Sequence, residues 1–268
     1  MALICTLGDA VLDVVVRLEA PLAAGDDVGA VTRTGAGGQA ANVAAWAAAL
    51  GAQARCIAKR GADPAGELVA AALAERGVEL CGPVARGRTG VVVSLVSAGG
   101  ERTMASDRGV ARDLRPEEVD ADWLEGAAWL HVSGYALVAE PAGRAAERAA
   151  ELAREAGARV SVDLSSSSVL RDYGPARFRA RLGRLAPEVV FATTAELAAL
   201  GHRADSSLVE KRGADGILVD GVAHPAHAAE AVDTTGAGDA LAAGFLLGGP
   251  ELALEAAARC VARLGSMP

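Results

Sequence analysis

Apolar positions along the chain fall into short runs that alternate with longer stretches of helical spacing, the pattern of a parallel sheet flanked by helices. Runs of β type at residues 3–7, 54–58, 129–132, 159–163 and 189–192 predict core strands. Between them, residues 37–51, 64–77, 140–157 and 174–185 carry alanine-rich or i, i+3, i+4 spacing and predict helices, several closing at a glycine. The order predicts one α/β domain over 1–268, with a doubly wound, mainly parallel sheet whose ligands bind beyond the carboxyl ends of the strands.

Three segments break the alternation. VLDVVVRLEA, DDVGAVTRT and TGVVVSLVSAGGERTMASD have a period of two and turn signals, with Gly99 and Gly100 at one turn. They predict a small β-sheet outside the main one, within 12–36 and 87–108, placed as a lid over a pocket. Arg102 sits on that hairpin, where solvent exposure is its ordinary fate. Residues 201–208 form only a brief polar interruption.

Composition narrows the partners. A 268-residue chain with 51% hydrophobic residues buries a large core, while 3% aromatic residues leave little to stack on nucleic-acid bases. A formal net charge of −8 gives no global field for a polyanion, so a phosphorylated ligand must be held by local donors. Cys5, Cys56, Cys81 and Cys260 lie far apart without a CxxC pair and read as reduced core residues. The first residues lack a basic leader, and no uninterrupted apolar run approaches ~20 residues. The expectation is a cytoplasmic protein with no nucleic-acid or membrane partner.

Residues 233–240, DTTGAGDA, carry the sharpest chemistry. Glycines before a helix leave unpaired amides pointing outward, and the helix dipole favours an anion there. Asp239 in such a place would repel a phosphate, unless its task is to take a proton from a nucleophile. GDAVLD ends the first strand with Asp9 and Asp13, GGQAAN starts a helix with Gly37, Gly38 and Asn42, and KRGADG (211–216) forms a turn between strands. No GxxxxGK[ST] is present, which excludes a P-loop of that type. Gly35, Gly37 and Ala40 satisfy GxGxxA, but the match starts roughly thirty residues in and meets Lys59 and Arg60 where the ribose needs an acid. An NAD-dependent oxidoreductase is therefore a minor alternative. His224 and His227 lack a third metal ligand, and no GxSxG nucleophile elbow exists.

Taken together, GDAVLD, GGQAANVA, KRGADG and DTTGAGDALAAG resemble the ribokinase-like (PfkB-type) carbohydrate kinases over nearly the whole chain, DTTGAGDA being the most specific signature. The resemblance implies an α/β domain with a β-sheet lid and transfer of the ATP γ-phosphoryl group to a hydroxyl of a small sugar or a nucleoside. It also implies Mg²⁺ and, in several relatives, a monovalent cation such as K⁺. On its terms Asp239 is the general base, and the amides of Gly236, Ala237 and Gly238 form the anion hole. Asp13, Gly37, Gly38 and Asn42 hold the acceptor's hydroxyls, with Asp9 a weaker addition. Lys211, Gly213, Gly216 and Thr193 lie beside the nucleotide, Glu196 orders Mg²⁺ through water, and Asp233 and Thr235 hold the monovalent cation. RLGSMP resembles the end of the nucleotide loop. A homodimer through exposed lid faces fits the same resemblance.

Two departures stand out. Thr193 replaces the Asn of the family's Asn-x-x-Glu, and only about ten residues separate Leu200 from Lys211, where relatives usually have a further helix and strand. They keep open a second alternative, a catalytically weak sugar- or nucleotide-binding relative. The expected activity is that of an ATP-dependent carbohydrate kinase.

Overall fold

The computed structural model describes residues 1–97, 102–201 and 206–268. In chain order the first half comprises β1 (Leu3–Leu7), β2 (Val11–Leu18), β3 (Ala30–Gly37), α1 (Gln39–Ala49), β4 (Gln53–Ile57), β5 (Arg60–Gly61), α2 (Pro64–Glu75), β6 (Val78–Cys81), β7 (Val84–Ala85), β8 (Thr89–Val96) and β9 (Arg102–Gly109). After three short 3₁₀ turns come β10 (Ala127–Ser133), α3 (Gly134–Leu137), α4 (Ala142–Glu155), β11 (Arg159–Asp163), α5 (Ser167–Tyr173) and α6 (Pro175–Leu185). The last part holds β12 (Val189–Thr193), α7 (Thr194–Leu200), β13 (Ser207–Lys211), β14 (Ile217–Val219), β15 (Val222–His224) and α8 (Ala237–Val261).

The main sheet runs β15-β14-β13-β12-β11-β10-β1-β4-β6. From β6 across to β13 every pairing is parallel, and β14 and β15 add an antiparallel edge. The chain leaves β1 toward β4 and β6 on one side and returns beside it as β10, so the strand order reverses there. Such a reversal opens a crevice beyond the strands' carboxyl ends. Both faces of the sheet are covered, which is why strands such as LICTL are buried at all five positions instead of alternating. One face packs Leu130, Val132 and Phe178 with the alanines of α4; the other packs Ile4, Trp46 and Phe191 with α1 and α8. All four cysteines are free and buried in these layers.

The alternating segments form a separate four-stranded sheet, β3-β2-β8-β9. The turn expected at Gly99 and Gly100 and the Arg102 side chain lie outside the described residues, as does part of the 201–208 interruption. Despite the short connection after Leu200, β13 is paired on both sides, Val189 to Thr193 of β12 matching Ser207 to Lys211. No gap opens in the described part of the sheet.

α8 is apolar enough and, at 25 residues, long enough to pass as a membrane span. Its backbone is broken at Gly248 and Gly249, followed by Pro250, so it is two helices folded against each other. Gly244 shows how closely: a Cβ there would lie 2.5 Å from the Leu252 carbonyl oxygen and 2.8 Å from Ala253 Cα. Gly244→Ala should therefore lower stability by about 1–3 kcal/mol, as overpacking against backbone does. Gly183→Ala, in a helix with nothing within 4 Å of the new methyl, should raise stability by up to about 1 kcal/mol. Urea midpoints at unchanged m-value measure both.

Candidate active site

A cavity of about 940 Å³ lies between the carboxyl ends of the main-sheet strands and the second sheet. Its floor collects groups from five strand exits: Asp9 after β1, Tyr135 after β10, Ser165 after β11, Thr193 closing β12 and Lys211 closing β13. Asp13, Val92, Met104 and Ser106 face it from the second sheet.

Asp239 stands in the first turn of α8. The helix begins at Gly236 in the left-handed region (φ 78°), with no side chain capping its amides. Only glycine fits, since a Cβ would strike the Ser266 carbonyl oxygen at 2.5 Å. Gly236, Gly238 and Asp239 line the cavity, so the amides that a helix start leaves without partners open toward it. Asn42 Nδ2 donates to Asp239 Oδ2 at 2.7 Å, and the Gln39 side chain also hydrogen-bonds the carboxylate. Asp239 keeps a small surface open to the cavity, yet the protein packed around it pushes its pKa up to about 7. Asp163 adds to the rise; the bonds from Asn42 and Gln39 and the charge of Lys211 oppose it.

Lys211 supplies the positive charge. Its ammonium donates to Asp163 Oδ2 at 2.5 Å, and Glu196 and Asp239 are near enough to act on it. Burial alone would lower its pKa, but Asp163 and Glu196 overcome that and raise it, so it stays charged. Its Nζ lies 3.5 Å from where a Gly238 Cβ would stand, beside the helix start. Burial raises the Glu196 pKa, with Lys211 opposing. Thr193 and Glu196 form a capping box: Thr193 N–H donates to Glu196 Oε2 at 2.8 Å and Glu196 N–H to Thr193 Oγ1 at 3.3 Å. One lone pair of the Thr193 hydroxyl is thereby engaged at the start of α7.

A cationic side lies by the second sheet. Arg108, at the end of β9, pairs with Asp9 and stacks over the Tyr135 ring, 4.0 Å from its centroid. Burial lowers the Arg108 pKa, and nearby Arg112 pushes the same way. Arg112 also lines the cavity and makes no ion pair among the described residues. Gly38 has φ 99°, and a Cβ there would lie 2.3 Å from the Asp9 carbonyl oxygen, so this turn also requires glycine.

Most of the residues chosen from the sequence meet in this cavity, with several in different company. Asn42 bonds Asp239 and Ser266, and Asp9 is matched to Arg108. Ala237 turns its N–H to the Thr234 carbonyl at 3.4 Å and does not line the cavity, whereas Gly236, Gly238 and Asp239 do. Gly37 lies behind the lining, against the Asp13 carboxyl. Gly213 and Gly216 form the β13–β14 turn away from the cavity; Gly216, with φ 88°, is held by the His224 carbonyl 2.1 Å from any Cβ. Asp233 accepts from Thr235 N–H at 2.8 Å and Gly265 N–H at 3.0 Å, and so ties the chain's last turn to the DTTGAGDA loop. Five members of the site went unrecognised in the sequence: Asp163, Gln39, Arg108, Arg112 and Tyr135. Asp163 had a signal, since it closes a parallel strand before SSSS much as Asp9 follows one.

The sequence model for pfkB family carbohydrate kinases matches residues 1–267. An ATP-dependent ribose-1-phosphate kinase of Halopiger xanaduensis is 36% identical over 281 aligned positions, covering 97% of this chain and 90% of the relative. A fructokinase of Klebsiella pneumoniae is 33% identical, over 79% of this chain and 76% of its own. Among solved structures, the adenosine kinase from Sinorhizobium meliloti superposes with a TM-score of 0.87 at 26% identity, over 99% of this chain and 95% of that one. These findings set aside the oxidoreductase alternative: the chain belongs to the pfkB family of carbohydrate kinases, phosphotransferases that act on a hydroxyl group.

Proposed function

We propose that this protein transfers the γ-phosphoryl group of ATP to a hydroxyl of a small sugar that already carries a phosphate, with Asp239 as general base. One observation carries the reading: a carboxyl poised near neutrality stands in the first turn of a helix whose open amides line the same cavity. Phosphoryl transfer asks a protein for an oriented hydroxyl, donors for the equatorial oxygens and a proton acceptor, and for little covalent chemistry. Asp239 accepts the hydroxyl proton. The amides of Gly238 and Asp239, with the Lys211 ammonium beside them, steady the negative charge of the transferring group. Lys211 keeps that charge because Asp163 and Glu196 hold it ionised.

The donor set suits a metal carried in with the nucleotide. No group of three or more His, Cys, Asp or Glu poised for a metal exists among the described residues, and Mg²⁺ commonly takes one or two carboxylates with phosphates and waters. Glu196 would hold it through water, and when bound it supplies positive charge to the phosphate oxygens. The buried Thr235 Oγ1, without a hydrogen-bond partner in the described structure, suits a monovalent cation beside Asp233.

For the acceptor, Arg108 and Arg112 supply local positive charge in a chain of net charge −8. A phosphate on the sugar would meet Arg112, since Arg108 is already matched by Asp9. The relative named as a ribose-1-phosphate kinase points the same way. Asp13, facing the cavity, would accept from a sugar hydroxyl.

Four outcomes are expected. Asp239→Asn should lower kcat roughly 10²–10⁴-fold with far less change in KM. In the wild type, kcat/KM should fall as pH drops through about 7, because the base must be ionised. The same carboxyl binds its proton more tightly when folded, so its contribution to stability is complete below about pH 4 and is lost as pH rises through about 7. Asp239→Asn should accordingly have a higher Tm than wild type at pH 8, the difference closing toward pH 4; activity lost together with stability would instead mean a broken fold. Fourth, an ADP-release assay over pentoses, pentose 1-phosphates, hexoses and nucleosides should favour a phosphorylated acceptor, and Arg112→Gln should raise its KM about tenfold while leaving unphosphorylated sugars unaffected. No turnover with any acceptor would instead favour a weakly active binding protein.

A further inference from the structure

α1 turns two carboxamides toward the base. Gln39 and Asn42 are three residues apart on this helix, hence on one face, and both hydrogen-bond Asp239. The oxygen end of each amide is already engaged. Gln39 Oε1 accepts from Ser133 Oγ and from Ser165 Oγ, each at 2.5 Å. Asn42 Oδ1 accepts from Ser266 Oγ at 3.1 Å in a buried contact. Ser266 is itself fixed, since its carbonyl accepts from Trp46 Nε1 at 2.9 Å, one further turn along α1. A carboxamide whose oxygen receives hydroxyl protons must present its NH₂ on the other side. On that side stands Asp239.

We propose that Gln39 and Asn42 are positioning residues for the base, holding Asp239 in its ionised, proton-accepting form through amides whose direction the hydroxyls of Ser133, Ser165 and Ser266 fix. The inference rests on Asp239 being the base. Two N–H donors aimed at a carboxylate stabilise the charged form and have nothing equivalent to offer a carboxyl proton. They also leave the remaining lone pairs of Asp239 in a set direction for an acceptor hydroxyl. The surroundings make such donors necessary. Burial and the charge of Asp163 on β11 favour the protonated acid, and only Lys211 at the end of β13 offers an opposing cation among the charges acting on it. Tyr135, following β10, and Cys260, on α8, also feel Asp239; burial raises both, the thiol to about 12, so near pH 7 neither brings a charge. Without the amides, Asp239 would be largely protonated at neutral pH and unable to accept the hydroxyl proton. The serines come from three separate places in the fold, the end of β10, the loop after β11 and the chain's last turn, and meet on the amides of α1. The last turn thus reaches the catalytic base through one hydroxyl and one amide.

The test is the pH profile of kcat/KM and kcat in Asn42→Leu, Gln39→Met, Ser266→Ala and Ser266→Thr, each in the full chain with ATP, Mg²⁺ and the best acceptor from the panel. Asn42→Leu and Gln39→Met should move the acid limb upward by about one pH unit, with most of the lost rate returning at pH 9. Ser266→Ala should move it the same way by less, and Ser266→Thr, which keeps the hydroxyl, should restore it. A uniform fall in rate with the limb in place would assign these residues to packing, and a rise in KM alone would assign the amides to the acceptor; either result overturns the proposal. Should the two amide variants fail to fold, the Ser266 pair decides the matter, since it removes and restores a single hydroxyl. If Asp239→Asn retains activity, the reading of the base fails first; if it does not and the limb still stays put, this inference fails alone.

Discussion

The site depends on a balance of charge around one carboxyl. Asp239 has to sit where a helix start gathers negative charge, and burial there favours its neutral form. Lys211 and the donors on α1 pull it back to a value near 7, while Asp163 and Glu196 keep Lys211 charged. Remove one partner and the others are left mismatched: two buried acids without a cation, or a cation without its acids. This coupling explains why groups from five strand exits and two helices converge on one cavity.

The fold supplies that convergence through backbone as much as through side chains. The strand order reverses between β1 and β10, which opens a crevice, and the short exits of β10, β11, β12 and β13 carry functional groups to its floor. α1 and α8 both start at glycines with positive φ, pressed against the backbone of Asp9 and Ser266 respectively. Any side chain at Gly38 or Gly236 would push these helix starts apart, and with them Asn42 and Asp239. The break in α8 serves the same end, letting a long apolar segment fold back on itself and remain in the core.

Much of this was legible in the sequence, for physical reasons that can be named. β1 and β11 were read to the residue because strands buried on both faces give unbroken apolar runs. The second sheet was visible in its period of two. Short elements such as β6, α5 and α7 escaped because four to seven residues carry too little periodicity. Asp239 announced itself as an acid in a phosphate-binding type of loop. Partnerships did not: Asn42 reads as a hydroxyl binder from its motif, and only the fold reveals that the last turn of the chain fixes its amide. Arg108 stayed hidden because an arginine on a hairpin strand looks like any exposed arginine until Asp9 and Tyr135 are brought beside it.

The central claim is that the group whose ionisation governs turnover is the Asp239 carboxyl. It is tested most directly by ¹³C NMR titration of carboxyl-labelled aspartates, the Asp239 signal being identified by its loss in Asp239→Asn. The account predicts a midpoint near 7, coincident with the acid limb of kcat/KM. A midpoint near 4, with the activity limb still near 7, would contradict it.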